Sequence, residues 1–207
     1  MSKKIVIIDY NMGNTLSISN ALLKLGYGSV VSADEEIINN ADALILPGVG
    51  AFQEAMKNIQ SNDLLQILEK NVISKKKPIL GICLGMQIMA TTGEENGFTK
   101  GLAWIDAEVK KIITPNVRVP HVGWNSIEVN MNAPLFLNIY SDTHFYFDHS
   151  FHFICDSKFV SSYTLYKDKI VSSIQKENIF ATQFHPEKSQ TMGLKLLRNF
   201  LNYVEEH

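Results

Sequence analysis

Cys83 stands in the string Gly81-Ile82-Cys83-Leu84-Gly85-Met86-Gln87, straight after an apolar run and with a glycine two residues away on each side. A thiol is nucleophilic only as its thiolate. The Gly-x-nucleophile-x-Gly frame is the signature of a strained strand-to-helix turn, where neighbouring residues without Cβ allow the sharp bend and a helix N-terminus favours the anion. About a hundred positions on, His185-Pro186-Glu187 follows the apolar segment 179–184. Residues two apart in extended chain project to the same side. The imidazole of His185 can therefore take and return the thiol proton while the Glu187 carboxylate orients it. Pro186 has no N–H, so the sheet ladder stops there and the site opens. Taken alone, a buried cysteine is an inert packing group and His-Pro-Glu a surface turn; together they compose a split Cys-His-Glu triad. Pro47-Gly48-Val49-Gly50 also follows an apolar run, and its glycines let backbone amides approach a ligand. This segment could supply one oxyanion amide, with Leu84 supplying the other; an ordinary tight turn uses the same glycines. A third glycine is missing at Gln53, so a dinucleotide fingerprint is not supported.

Elements of the right kind lie where such a site needs them. Lys4–Asp9, Gly28–Ser32, Ala43–Leu46 and Pro78–Ile82 read as short strands, the last with a buried look, and Ile18, Ala21, Leu22 and Leu25 recur at helical spacing before Gly26. Leu64–Ile73 reads as another helix, and Leu84, Met86, Gln87 and Met89 continue helically after Cys83. Alternating strand and helix predicts a mostly parallel sheet covered on both faces, an α/β three-layer sandwich with the ligand crevice at the strands' carboxyl ends. Asp9, Gly48–Gly50 and Cys83 all fall at such ends. From about residue 100 strands dominate: Ala107–Ile113, Asn125–Val129, Phe145–Ile154, Phe159–Leu165, Ile170–Ile174 and Ile179–Thr182, read as an antiparallel extension of the same domain. Leu194, Leu197, Leu201 and Val204 predict a final helix packed back on the sheet. No repeat or linker divides the chain, so one domain over 1–207 is expected.

Composition narrows the function by exclusion. The chain has 207 residues, 45% of them hydrophobic, enough for a well-covered core. Nineteen Lys and Arg against 21 Asp and Glu give a formal charge of −2, which offers no broad field for nucleic acid or an anionic membrane. Ile5–Ile8 is too short for a signal-peptide core, no apolar run approaches the ~20 residues of a membrane span, and Cys83 and Cys155 form no disulfide pattern. These features fit a cytoplasmic protein. His144, Asp148 and His152 fall on one face of the predicted strand 144–154, but spacing of four along a strand spreads them over about 13 Å, too far to share a zinc, so no metal is expected. Lys75-Lys76-Lys77 reads as a solvated helix end.

The Gly81–Gln87 string with His185-Pro186-Glu187 resembles the class I, triad-type glutamine amidotransferases. Further strings resemble, in order and over essentially the whole chain, the branch that forms the glutaminase subunit of imidazole glycerol phosphate synthase: Asp9–Asn14, Pro47–Phe52, Pro120-His121-Val122-Gly123-Trp124-Asn125, Tyr146–Phe151 and Phe184–Ser189. The resemblance implies that Cys83 attacks the side-chain amide of L-glutamine, that the Leu84 and Val49 or Gly50 amides hold the oxyanion, and that His185 protonates the departing ammonia. It implies no cofactor. Gln87 and Glu95 match positions that hold the substrate, with Glu94 adjacent as the alternative to Glu95, and His149-Ser150-Phe151 matches a segment whose backbone meets the α-carboxylate. It further implies a partner, a (βα)8-barrel cyclase that receives the ammonia for histidine biosynthesis, with Trp124, Asn125 and Lys188 near the interface and Tyr140 or Tyr146 as weaker candidates. Interior packing is the other explanation for a tryptophan. Asp148 replaces a usually apolar residue and Phe151-His152 a Tyr-rich continuation, which leaves the partner open between that cyclase and a synthase that modifies bacterial surface sugars. Two rivals remain: a Cys-dependent hydrolase that releases its product to water, and a non-catalytic regulatory or binding subunit with a redox-sensitive Cys83.

Overall fold

The computed structural model describes residues 3–115, 117–130 and 133–207. Its elements run β1 (Ile5–Ile8), α1 (Thr15–Lys24), β2 (Ser29–Ser32), α2 (Glu35–Asn39), β3 (Ala43–Leu46), α3 (Phe52–Ser61), α4 (Leu64–Leu68), β4 (Ile79–Ile82), α5 (Leu84–Gln87), β5 (Thr92–Gly93), β6 (Thr99–Lys100), β7 (Ala107–Lys111), β8 (His121–Val129), β9 (His144–His149), β10 (Phe151–Cys155), β11 (Val160–Tyr166), β12 (Asp168–Lys176), β13 (Ile179–Thr182) and α6 (Gln190–Glu206). Nine strands form one sheet in the order β2-β1-β3-β4-β13-β12-β11-β8-β9. The first five are mutually parallel and the remaining pairings antiparallel.

The four inner parallel strands, β1, β3, β4 and β13, are buried along their whole length because both faces are covered, whereas β2 at the sheet's edge leaves Val30 and Val31 exposed. Val6, Ile8, Leu44, Leu46 and Ile79 pack with Phe52, Met56, Ile59, Leu64 and Leu68 on one side. Ile5, Ile7, Ala43, Ile45, Leu80 and Phe180 pack with Ile18, Leu22, Leu197, Phe200 and Leu201 on the other. This is the expected three-layer sandwich. At roughly 1.5–3 kcal/mol per fully buried large apolar side chain, these two layers outweigh any single polar contact in holding the sheet. Local signals close the helices: Asn14 caps α1 by accepting from the Ser17 N–H, and Gly26 follows it at φ +87°.

Three expectations need correction. The strand read as Phe145–Ile154 is two strands: β9 ends at His149 beside β8, and β10 begins at Phe151 in a second sheet ordered β10-β7-β5-β6. The expected antiparallel extension is thus divided: β8, β9, β11 and β12 continue the central sheet antiparallel, Ile179–Thr182 enters it parallel to β4 as β13, and β7 and β10 cover one of its faces through Val109 and Phe153. The helix expected over 64–73 is α-helical only to Leu68 and then widens to a π-helical stretch, Glu69–Ser74, where the buried Asn71 side chain bonds the Ile67 carbonyl and Asn39. The helix after Cys83 is only four residues long, so little dipole can accumulate behind the thiol. No helix among the described residues is long and apolar enough to cross a membrane.

Candidate active site

Strand order brings the carboxyl ends of β1, β3, β4 and β13 side by side, and register decides what meets there. Leu46 pairs with Gly81 and Ile82 with Thr182, so the segments that leave these strands, 47–50, 83–87 and 183–187, are neighbours. The Cys83 N–H donates to the Thr182 carbonyl at 2.7 Å, after which the chain turns at φ 53°, ψ −109°. A non-glycine residue with positive φ is strained, and here the strain lifts the thiol out of the sheet, as a nucleophile elbow requires. Gly85 is required by space: a Cβ there would lie 1.9 Å from the Leu46 carbonyl oxygen. The Leu84, Val49 and Gly50 amides make no backbone hydrogen bond among the described residues, which leaves them free to donate.

His185 Nδ1 bonds Glu187 Oε1 at 2.8 Å with both side chains nearly fully enclosed. The segment is clamped: the His185 N–H donates to the Tyr146 carbonyl, and Ser189 Oγ accepts from the Tyr146 N–H while donating to the His185 carbonyl. Burial alone would push the imidazole's pKa down, but hydrogen bonding to Cys83 and Glu187, together with their charges, carries it up to about 10. An imidazole that keeps its proton at neutral pH is suited to serve as the acid for a leaving amine.

A cavity of about 430 Å³ opens over this constellation. Its wall includes Cys83, His185, Val49, Gly50 and Leu84, and also Gln87, Glu95, His149, Ser150 and Phe151, residues the sequence had marked for substrate. Glu187 lies behind His185, outside the cavity wall, where an orienting carboxylate belongs. Glu94 and Glu95 are now told apart: Glu95 faces the cavity and accepts from the Phe52 N–H at 2.8 Å, whereas Glu94 is exposed and faces Lys110. Gln87 Nε2 donates to the Phe151 carbonyl and to Gln183 Oε1, each at 3.0 Å. Gln183 is the residue sequence reasoning missed. Its Nε2 is 3.6 Å from Cys83 Sγ, and its position two before His185 was the available signal.

Trp124 is 47% exposed, which sets aside interior packing as its explanation. It meets Tyr146 edge to face at 6.2 Å, and Lys188 Nζ lies 5.5 Å from the same Tyr146 ring, while Tyr140 is exposed. Asn125 points elsewhere: its Nδ2 bonds the Leu165 carbonyl at 3.0 Å and His121 Nε2 at 3.3 Å. His144, Asp148 and His152 no longer share a strand, because β9 and β10 part at Ser150. Among the described residues no cluster of three His, Cys, Asp or Glu is disposed to hold a metal.

A chain of neutral imidazoles links Asn125 to the cavity. The Phe151 carbonyl only accepts, so His149 Nδ1 donates to it at 2.8 Å; His149 Nε2 then accepts from His121 Nδ1 at 3.0 Å, and His121 Nε2 accepts from Asn125. Burial lowers the His121 pKa to about 4 and the His149 pKa to about 3. In the unfolded chain both would titrate near 6.5. Between these values the unfolded state binds more protons, so stability is full above pH 6.5 and falls with acidification. His185 has the opposite sign: its contribution is full below 6.5 and is lost as pH rises towards 10. Urea unfolding should therefore show a maximum near neutrality and a loss of about 3 kcal/mol by pH 5 from the buried pair. Equal midpoints at pH 7 and pH 5 would contradict the neutral-imidazole chain.

A thiol at a strained elbow, a buried His-Glu pair and free amides around one cavity compose an acyl-transfer centre, and comparison with known proteins agrees. Residues 6–204 match the family described as glutamine amidotransferase class-I, and the chain belongs to that family. In sequence it is 46% identical to imidazole glycerol phosphate synthase subunit HisH 1 of Campylobacter jejuni (strain RM1221), across 95% of this chain and 98% of the relative. It is 47% identical to subunit HisH 2 of Vibrio vulnificus (strain YJ016), across 98% and 95%. At that identity and coverage the HisH subunits are its branch of the family. Among solved structures, PurLQS from Thermotoga maritima superposes with TM-score 0.72 at 18% identity, across 99% of this chain and 100% of that one, which shows the shared fold.

Proposed function

We propose that this chain, as one amidotransferase domain over 1–207, is the glutaminase subunit of an imidazole glycerol phosphate synthase and works through Cys83, His185 and Glu187. The observation that carries the reading is the placement of Cys83 and the His185-Glu187 pair at the ends of adjacent strands, with Cys83 and His185 lining one cavity and Glu187 held behind the imidazole. Cys83 Sγ adds to the side-chain amide carbon of glutamine. The negative oxygen is received by the Leu84 N–H and that of Val49 or Gly50. His185 gives its proton to the nitrogen, ammonia leaves, and the glutamyl thioester is cleaved by a water that His185 deprotonates. Gln87, Glu95 and the backbone of His149-Ser150-Phe151 hold the substrate's α-substituents. No step calls for a cofactor.

Ammonia released into neutral water becomes ammonium and ceases to be a nucleophile, so its consumer must be docked. We infer that the consumer is a (βα)8-barrel cyclase in the cytoplasm, bound on the face that carries Trp124, Tyr146 and Lys188, with Asn125 reaching the site from within. Alone, the chain should hydrolyse glutamine slowly; with its cyclase and acceptor substrate, glutamate production should rise by roughly 100-fold or more, as expected when binding completes a preorganised site. Affinity capture from the native cell, followed by glutamate assay, tests this. Capture of a sugar-modifying synthase would transfer the proposal to that pathway, and intact protein that yields no glutamate with either partner would favour a non-catalytic role.

A further inference from the structure

We propose that Gln183 belongs to the catalytic centre as a fixed hydrogen-bond donor to the Cys83 sulfur, positioned to support the charge that appears there when the thiol gives up its proton. Its orientation follows from a chain of acceptors. The Phe151 carbonyl can only accept, so the end of Gln87 that faces it at 3.0 Å is the NH2 group. The second proton of that NH2 points at Gln183 at 3.0 Å, which fixes the facing atom of Gln183 as its oxygen. The Gln183 NH2 is thereby turned towards Cys83 Sγ at 3.6 Å, in a fully buried side chain. The backbone holds the base of the side chain in place, with the Gln183 N–H donating to the Ser172 carbonyl at 2.9 Å.

Gln183 adds a neutral donor to the one that protonated His185 supplies. As a thiol, Cys83 has an acceptor in the Asp148 carbonyl, 3.7 Å away. Once the proton has left, that same carbonyl presents negative charge to negative charge, and the four-residue helix behind Cys83 has little dipole to offset it. Gln183 is the buried neutral donor on the other side, and a hydrogen bond to an ionised acceptor is stronger than one to the neutral form. Titratable groups also surround the sulfur: Tyr10 after β1, His185 and Glu187 after β13, Asp148 and His149 at the end of β9, and Glu95 across the cavity. All of these are unchanged by substitution at 183, so a shift in the titration of Cys83 isolates the amide.

The assignment deepens the glutaminase reading and rests on it for its consequence in turnover, but the titration is measured without glutamine. The full chain is alkylated with iodoacetamide across pH, and the rate at Cys83 is followed by peptide mass so that Cys155 is scored separately. Gln183→Met, similar in length but without a donor, should raise the pH midpoint of Cys83 alkylation by about one unit, a tenfold loss of thiolate at lower pH. Gln183→Asn keeps the amide but is too short to reach, and should raise the midpoint likewise; it carries the test if the methionine variant does not fold. A merely structural glutamine would lower the melting temperature and leave the midpoint where it is, and that result overturns the proposal. If the midpoint moves while the native chain with its partner makes no glutamate, the glutaminase reading falls and the Gln183 assignment stands. If glutamate is made and the midpoint is fixed, Gln183 alone falls.

Discussion

Cys83→Ala is expected to lower the rate of partner-stimulated glutamine hydrolysis by about 10⁴-fold or more, with folding and partner binding retained. The sulfur is the atom that must bond to the amide carbon; the Ser150 hydroxyl also lines the cavity, but both ring nitrogens of its neighbour His149 are engaged, by the Phe151 carbonyl and by His121. Without it, His185 and the amides at 49, 50 and 84 can still bind and polarise the substrate, so a small background over water remains. Folding should survive because alanine also has a Cβ and no greater objection than cysteine to φ 53° at this position. The measurement is glutamate release with the cognate synthase and its acceptor present, with circular dichroism as the control. Full activity in the alanine variant would remove Cys83 from the mechanism and, with it, the function proposed for the chain.

Gly85→Ala should destroy the fold's stability rather than its chemistry. The added methyl would sit 1.9 Å from the Leu46 carbonyl oxygen, 2.9 Å from its carbon and 3.1 Å from the Pro47 oxygen, all backbone atoms at the end of a buried strand. A flexible side chain could move aside; two hydrogen-bonded strands and their turn can do so only together. The cost should reach roughly 3–5 kcal/mol, the range of a severe overpacking in a core. In a chain of this size that corresponds to a fall of about 10 °C or more in melting temperature. Gly28→Ala is the matched control: a Cβ there meets nothing within 4 Å, so its melting temperature should match that of the unsubstituted chain. Coincident melting of the Gly85 variant with that control would mean that the elbow is looser than its geometry implies.

The chemistry of this protein is written in its sequence because reactive groups and their local turns are local facts. Gly81-x-Cys83-x-Gly85 announces a strained turn, and His185-Pro186-Glu187 announces an orienting pair at the end of a ladder. Short continuous runs place β3 and β13 at their observed bounds, and the helical spacing of Ile18, Ala21, Leu22 and Leu25 places α1. Other boundaries were not legible. Alternation alone ran the strand through Ser150, since nothing in Phe145–Ile154 distinguishes one long strand from two that leave in different sheets. Nor does any motif reveal that Asn125 turns inward to His121 while Trp124, its neighbour, stays exposed; adjacent residues of β8 face opposite sides, and which side is wet depends on what packs there.

Residue types and short spacings therefore settle what this chain can do to a bond. Strand register settles with whose help: Ile82 opposite Thr182 sets Cys83 against Gln183 and His185, and Leu46 opposite Gly81 sets the amides at 49 and 50 beside them. The first of those pairings joins segments a hundred residues apart, and a long-range pairing is fixed by the packing of two complete layers, which no short stretch of sequence contains.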